Sequence, residues 1–307
     1  MKNGILKVNK PSGPTSHDVV DQVRKLTHLK RVGHAGTLDP FAKGLLLIGI
    51  GKGTRLLEYL LHQPKTYEVV MRLGIVTDTF DREGKVMEEH PVKITDEEIR
   101  KTMESFIGEY EQVPPMYSSK KYKGVKLYEL ARQGKIINMP PKRVKIHSLK
   151  IEKIDLPYVH FSVNVSEGTY VRALCRDVGM KLGCGAIAQE LTRISIGSFS
   201  VEEAIDVYEL EEINEDKIIS LEEITATLFP KVTVIEEAAE KILNGQKLKV
   251  NDVKDFEEFK KGELVRVVDE NEKLLAIAIG ERNSSFIFTL ANQRRNEAIL
   301  RPKKVFN

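Results

Sequence analysis

Val159, Phe161, Val163 and Val165 occupy every second position of residues 158–166. Alternation this strict puts four side chains on one face of a β-strand. A helix would repeat its apolar positions every three or four residues. Residues 144–154 alternate enough to form a second strand. Further strands are expected over residues 5–9, 45–50 and 66–73. Helical signals stand among them. Thr95 with Glu98 three residues on makes a capping-box signature, and Ile94 with Ile99 a hydrophobic staple. That helix is expected to run to about Phe106 and to stop at Gly108. Val19, Val20, Val23 and Leu26 follow helical spacing behind Thr15 or Ser16 as N-cap. Residues 54–62 and 169–182 read as helices, the latter ended by Gly183, and a helix is expected around residues 125–133. Residues 33–42 hold too many turn formers for a regular element and are expected to be an ordered loop.

Past an acidic stretch the pattern changes, with Pro230 as the boundary. Residues 231–307 read as a small β-rich unit. It has one helix over 236–243, ended at Gly245, and strand-like runs at 264–268, 274–279, 286–290 and 298–306. Two units agree with a length of 307 residues. A hydrophobic share of 41% excludes a disordered chain. The longest apolar runs, such as residues 44–50, fall far short of the ~20 residues of a membrane-spanning helix. The basic start of residues 1–7 lacks the apolar stretch of a signal peptide. Two cysteines, Cys175 and Cys184, make no disulfide framework, so the cytoplasm is the expected compartment. They are nine apart with no second pair, so no metal site is expected.

The formal net charge of +3 conceals strong segregation. Residues 1–72 carry 12 Lys+Arg and 5 Asp+Glu, a balance of +7. Residues 114–150 carry 10 and 1, a balance of +9, and residues 201–225 carry 1 and 10, a balance of −9. Two basic blocks suit a polyanionic partner if they meet on one face. The acidic run is expected to lie away from that face, near the junction with the C-terminal unit.

Several motifs fail on inspection. Residues 49–54 are glycine-rich with a lysine, but Gly53 separates Lys52 from Thr54 and breaks the phosphate-loop pattern. Ser118-Ser119-Lys120-Lys121 lacks the companion motifs of serine acyl enzymes. The informative stretch is Gly33-His34-Ala35-Gly36-Thr37-Leu38-Asp39-Pro40-Phe41-Ala42-Lys43-Gly44. Its glycines permit close approach of a ligand or positive φ. Pro40 keeps Asp39 out of the helical region, so the carboxylate stands on an extended, stiff backbone. By pattern alone Asp39 is a turn starter, Tyr67 a core tyrosine on a strand, and Leu191 either core or pocket.

Residues 33–44 resemble the catalytic motif of the bacterial tRNA pseudouridine-55 synthase family. Five further segments resemble that family in the same order. They are Lys10-Pro11-Ser12-Gly13-Pro14-Thr15-Ser16, Lys65-Thr66-Tyr67-Glu68-Val69 and Thr77-Asp78-Thr79-Phe80-Asp81. After these come Val113-Pro114-Pro115-Met116-Tyr117-Ser118-Ser119-Lys120-Lys121 with Lys126-Leu127-Tyr128, and Gly168-Thr169-Tyr170-Val171-Arg172 with residues 181–186. The resemblance implies an α+β pseudouridine synthase fold, a curved mixed sheet flanked by helices, over residues 1–230. It also implies an RNA-gripping insertion at about 113–142. Residues 231–307 resemble, more weakly, a PUA-like β-barrel that contacts the acceptor end of tRNA.

The same resemblance implies the roles. Asp39 is the essential carboxylate acting on the uridine, and Arg172 pairs with it and fixes its direction. Tyr67 stacks on the target base and is positioned for proton removal from its carbon 5. Tyr170 and Leu191 line the uracil pocket. His34 enters the space left by a flipped base. Lys10, Arg31 and Lys43 lie near the active loop. Lys120, Lys121, Lys123 and Lys126, interleaved with Tyr117, Tyr122 and Tyr128, suit an arm that grips RNA by phosphate contact and stacking. The partner implied is tRNA, held by its T-arm and bound by a monomer. The reaction needs no cofactor.

Overall fold

The computed structural model describes residues 2–118, 120–122, 124–134, 137 and 139–307, without the side chains of residues 121, 126, 128, 131 and 132. Ten strands form one sheet. Across it the order is Ile218–Ser220, Gly4–Lys10, Lys43–Ile50, Ala186–Ile196, Lys65–Leu73, Tyr158–Val165, Lys142–Asp155 and Gly108–Gln112. Val32–Ala35 pairs with Lys43–Ile50, and Phe199–Ser200 pairs with Ala186–Ile196. The sheet is mixed because Thr192 and Arg193 run parallel to Lys43 and Gly44, whereas the other pairings are antiparallel.

Val159, Phe161, Val163 and Val165 are all buried, as their alternation requires. They share a core with Tyr67, Val69 and Met71 of the next strand. The helices Asp96–Glu104 and Val171–Leu182 cover it through Ile99, Met103, Leu174 and Val178. Burial of each such aliphatic side chain contributes roughly 1.5–3 kcal/mol. The helix Asp96–Glu104 starts where expected. Thr95 N donates to Glu98 Oε2 at 2.8 Å, and Glu98 N donates to Thr95 Oγ1 at 3.3 Å. Lys43–Ile50 is covered on both faces. Leu45 and Leu47 enter one core, whereas Leu46, Ile48 and Ile50 meet Val19, Val20 and Val23 of the helix Ser16–Thr27. Double-sided burial explains an apolar run with no alternation.

The sheet forks along Lys43–Ile50. Val32–Ala35 pairs with residues 47–50, while Ala186–Ile196 takes the same side at Lys43 and Gly44. Residues 36–42 leave the sheet between these two strands. The expected loop at 33–42 therefore begins as a strand, because Gly33, His34 and Ala35 find backbone partners in Gly49, Ile48 and Leu47.

A second sheet runs Leu248–Lys249, Ala298–Val305, Leu274–Gly280, Leu264–Val268, Lys231–Val234 and Val253–Phe256. It is nearly closed and barrel-like. The strand expected at 286–290 is instead the helix Ser285–Asn292, which buries Ile287 and Leu290, three residues apart on one face. The two sheets meet through Leu221 and Ile224 packed with Leu274, Ile277 and Phe306. Leu274 N donates to Glu222 Oε1 at 3.1 Å, so the end of the acidic run lies at this junction, as expected. No described helix is long and apolar enough to cross a membrane.

Candidate active site

The loop that carries Asp39 is pinned from both sides. Leu38 N donates to Ser16 Oγ at 2.8 Å and Ser16 Oγ donates to Leu38 O at 3.1 Å. Ser12 Oγ donates to Phe41 O at 2.9 Å, and Gly13 N to Pro40 O at 2.8 Å. Lys10 Nζ donates to Pro40 O at 3.1 Å and to the carbonyls of Pro11 and Pro14 at 2.8 Å each. The segment 10–16 is thus a cradle for the loop. On the far side Arg193 Nε donates to Leu45 O at 2.7 Å and Nη2 to Gly36 O at 3.0 Å. Gly44, at φ +105°, closes the loop where a Cβ would stand 2.3 Å from Arg193 O.

Arg172 sits in the first turn of the helix Val171–Leu182. Its Nε donates to Asp39 Oδ2 at 2.8 Å, and Nη2 faces Oδ1 at 3.4 Å. Nη1 donates to Thr79 O at 2.7 Å, and Nη2 also donates to Tyr117 O. The guanidinium is buried, with 2% of the side chain exposed, while 32% of the Asp39 side chain faces solvent. A buried fork with an accessible carboxylate leaves Asp39 fixed in direction and open to a substrate.

Asp81 supports the Thr79 carbonyl from behind. Thr79 Oγ1 donates to Asp81 Oδ1 at 2.6 Å, Glu83 N donates to the same oxygen at 3.1 Å, and Thr77 Oγ1 donates to Asp81 O at 2.8 Å. Burial pushes the Asp81 carboxyl pKa up, against the pull of the Thr79 hydroxyl and the Arg172 charge. Between them Phe80 is held at φ +66°, with the Arg176 guanidinium 4.6 Å from its ring centre. A bulky residue in the left-handed region costs on the order of 1–3 kcal/mol, so this turn is strained beside the site.

Above Asp39 lies a cleft of about 450 Å³. Tyr67, Tyr170 and Leu191 line it with Asp39, and all three rings and chains are mostly buried. Tyr67 stands opposite both Arg193 and Val163 in the sheet. Tyr170 is the N-cap of the Arg172 helix. Gln112 grips its backbone twice, accepting from Tyr170 N at 2.8 Å and donating to Tyr170 O at 3.1 Å. Burial raises the Tyr170 phenol pKa, partly offset by Ser118 and Arg172.

Five residues singled out from the sequence therefore converge: Asp39, Tyr67, Arg172, Tyr170 and Leu191. Lys10 does not join them as an RNA contact. It is fully buried and its ammonium is saturated by three carbonyls. Burial lowers its pKa to about 8, with Asp39 opposing the fall. His34 lies half-buried on Val32–Ala35, outside the cleft lining, with Nδ1 buried and unpartnered. Its proton affinity is lowered by burial and then by Arg193. Lys43 is exposed at the end of the loop. Lys120 is half-buried, and its carbonyl accepts from Leu127 N at 2.8 Å. Lys121 lies on the short strand Lys121–Tyr122. Its side chain, with those of Lys126 and Tyr128 and the whole of Ser119 and Lys123, lies outside the described residues.

The structure adds residues to which the sequence reading gave no role. Lys65, Thr79 and Asp81 stood inside quoted motifs, so their segments were visible but not their partners. Gln112 and Arg193 carried no local signal, because what they hold lies 58 and 157 residues away in the chain.

Three comparisons bear on this geometry. The family model described as TruB family pseudouridylate synthase (N terminal domain) matches residues 24–171. The tRNA pseudouridylate synthase B C-terminal domain matches residues 172–237, and the PUA domain matches residues 230–294. The tRNA pseudouridine synthase B of Thermotoga maritima is 54% identical over 309 aligned positions, covering 100% of this chain and 99% of that protein. The enzyme of the same name from Clostridium novyi is 42% identical over 92% of this chain and 96% of its own length. Among solved structures, an H/ACA RNP bound to a substrate RNA containing 2′-deoxyuridine superposes with a TM-score of 0.77 at 26% identity, covering 99% of this chain and 85% of that one. A Cbf5-Nop10-Gar1 complex gives 0.76 at 27% identity, with coverage of 99% and 85%.

Proposed function

The chain belongs to the TruB family of pseudouridylate synthases, and on that premise we propose that it converts uridine 55 in the T-loop of tRNA to pseudouridine, with Asp39 as the essential carboxylate. The reaction breaks the bond from uracil N1 to the ribose, turns the base, and joins carbon 5 to the same ribose carbon. Carbon 5 loses a proton and N1 ends with one, so reactant and product have the same atoms. No redox partner or group donor enters the balance.

The observation that carries this reading is the Asp39–Arg172 pair at the foot of a cleft walled by Tyr67 and Tyr170. An ionised carboxylate can act as a nucleophile only if it is held and aimed. Arg172 supplies both through its fork. Tyr67 offers a flat face for the uracil and Leu191 an apolar wall. A base buried in a folded loop must leave its stack to reach this cleft, at a cost of a few kcal/mol. His34 is the side chain proposed to fill the gap. The insertion at 113–142 and Lys43 grip the T-arm, and the C-terminal sheet contacts the acceptor end. The enzyme acts as a monomer in the cytoplasm.

The test is one incubation with two readouts. Wild type and Asp39→Asn are mixed with unmodified tRNA transcript, and binding and pseudouridine are both measured. The reading expects both proteins to bind and only the wild type to convert. Absence of pseudouridine with wild type would leave an RNA-binding protein without this activity.

A further inference from the structure

Two cations of the cleft lining lie buried together. Lys65 is 7% exposed and Arg193 1% exposed, and both line the cleft. Among the described residues neither has a carboxylate within ion-pair distance, and the nearby Glu167 is paired with His62. Lys65 Nζ donates to Leu61 O at 2.8 Å and Gln63 O at 2.7 Å, which leaves its third proton. Among the described residues Arg193 Nη1 has no protein acceptor, whereas Nε and Nη2 do. Burying like charges side by side without a counter-ion is costly, and a folded protein keeps such an arrangement where an anion completes it. Burial and the Arg193 charge lower the Lys65 pKa to about 8, which is the electrostatic strain an anion would relieve.

The backbone leaves access to both cations. Gly36 has φ +84°, and a Cβ there would stand 3.5 Å from Lys65 Cε and 3.6 Å from Arg193 Nη1. Any larger residue would cover them. Asp39 is three positions on from Gly36, at most about 11 Å of chain. An anion at this point therefore belongs to the nucleotide whose base occupies the cleft, or to the one beside it.

We propose that Lys65 and Arg193 form an anion site for a backbone phosphodiester flanking the target uridine, a substrate contact that rests on the reading of this cleft as a uridine-isomerising site. The phosphate accepts from the third Lys65 proton and from Arg193 Nη1. It anchors the strand while Asp39 meets the nucleoside.

The experiment uses T-arm stem-loop RNAs in which the phosphate 5′ or 3′ to the target uridine is a neutral methylphosphonate. KM, kcat and Kd are measured with wild type and with Lys65→Gln. For wild type, one of the two neutral linkages should raise KM and Kd about tenfold or more with kcat little changed, the range of a charge-assisted contact. In Lys65→Gln the same linkage should cost clearly less than in wild type, since one of its two cationic partners is gone and Arg193 remains. Lys65→Arg should restore the sensitivity. A purely structural lysine would give additive losses, and wild-type indifference to both linkages would equally overturn the site. If Lys65→Gln does not fold, Lys65→Met, which also removes the charge, takes its place in the same linkage comparison. Failure of wild type to convert the unmodified RNA would strike the isomerase reading instead. The Kd pattern would then still report whether the anion site exists.

Discussion

Arg172 reaches Asp39 through two nitrogens, Nε at 2.8 Å and Nη2 at 3.4 Å, while its remaining donors hold the carbonyls of Thr79 and Tyr117. One side chain thus ties the candidate nucleophile to the 77–81 turn and to the root of the insertion. The helix Val171–Leu182 sets its position, and Gln112 sets the start of that helix.

Arg172→Lys keeps the charge and loses the fork, because an ammonium cannot meet four acceptors spread over three segments. Conversion should fall about a hundredfold or more, as for loss of an oriented charge contact in an active site. RNA affinity should change little. Because Asp39 is partly solvated, the stability cost should be modest, about 1–3 kcal/mol in urea unfolding. A variant with near-normal turnover would contradict the assigned geometry.

Asp81 never reaches the cleft lining, yet it holds the turn that receives Arg172 Nη1. Asp81→Ala leaves the Thr79 hydroxyl and the Glu83 amide without their acceptor. Turnover should drop about tenfold or more while the fold persists, the usual scale for removing an orienting partner. Single-turnover rates at saturating enzyme read this directly. An unchanged rate would mean that Thr79 holds its place unaided.

Gly44→Ala should destabilise the protein. Its φ of +105° is unfavourable for any side chain, and the new Cβ would meet the Arg193 carbonyl at 2.3 Å. The expected loss is about 2–4 kcal/mol from strain and overpacking together. Chemical denaturation measures it, and a loss below half a kcal/mol would show that the fork in the sheet relaxes freely.

Lys10 and Lys65 both have pKa values lowered to about 8 by burial. In the unfolded chain they return to about 10.4. Between those values the unfolded state binds more protons than the native state, so their contribution to stability rises with pH. Below pH 8 both states are protonated, and the full cost of burying the charges is present. The stability of wild type relative to Lys65→Met should therefore increase from pH 8 to about 9.5. A flat difference across that window would show that Lys65 does not titrate as its surroundings require.

The strand at residues 158–166 and the Thr95 helix were legible because their signals are local: strict alternation in one, a capping box in the other. The central strand Ala186–Ile196 was not. Irregularities between Ala188 and Glu190 and between Arg193 and Ser195 shift its register and erase the period of two. The helix Ser285–Asn292 was misread because a short apolar run fits either element until its neighbours decide. At the site, Asp39, Tyr67 and Arg172 stood in motifs that resemble a known family. The resemblance could not show that Lys10 is enclosed by carbonyls, or that Arg193 closes the Asp39 loop. Arg193 reaches Gly36 across 157 residues, and the third carbonyl around Lys10, that of Pro40, comes from 30 residues away.

The most direct test of the central claim is nucleotide-resolution mapping of pseudouridine, by carbodiimide labelling and primer extension, on one tRNA transcript treated with wild type or Asp39→Asn. The account predicts a single new stop reporting position 55 with wild type and none with Asp39→Asn at equal RNA occupancy. A stop at another uridine, or conversion by Asp39→Asn, would contradict it.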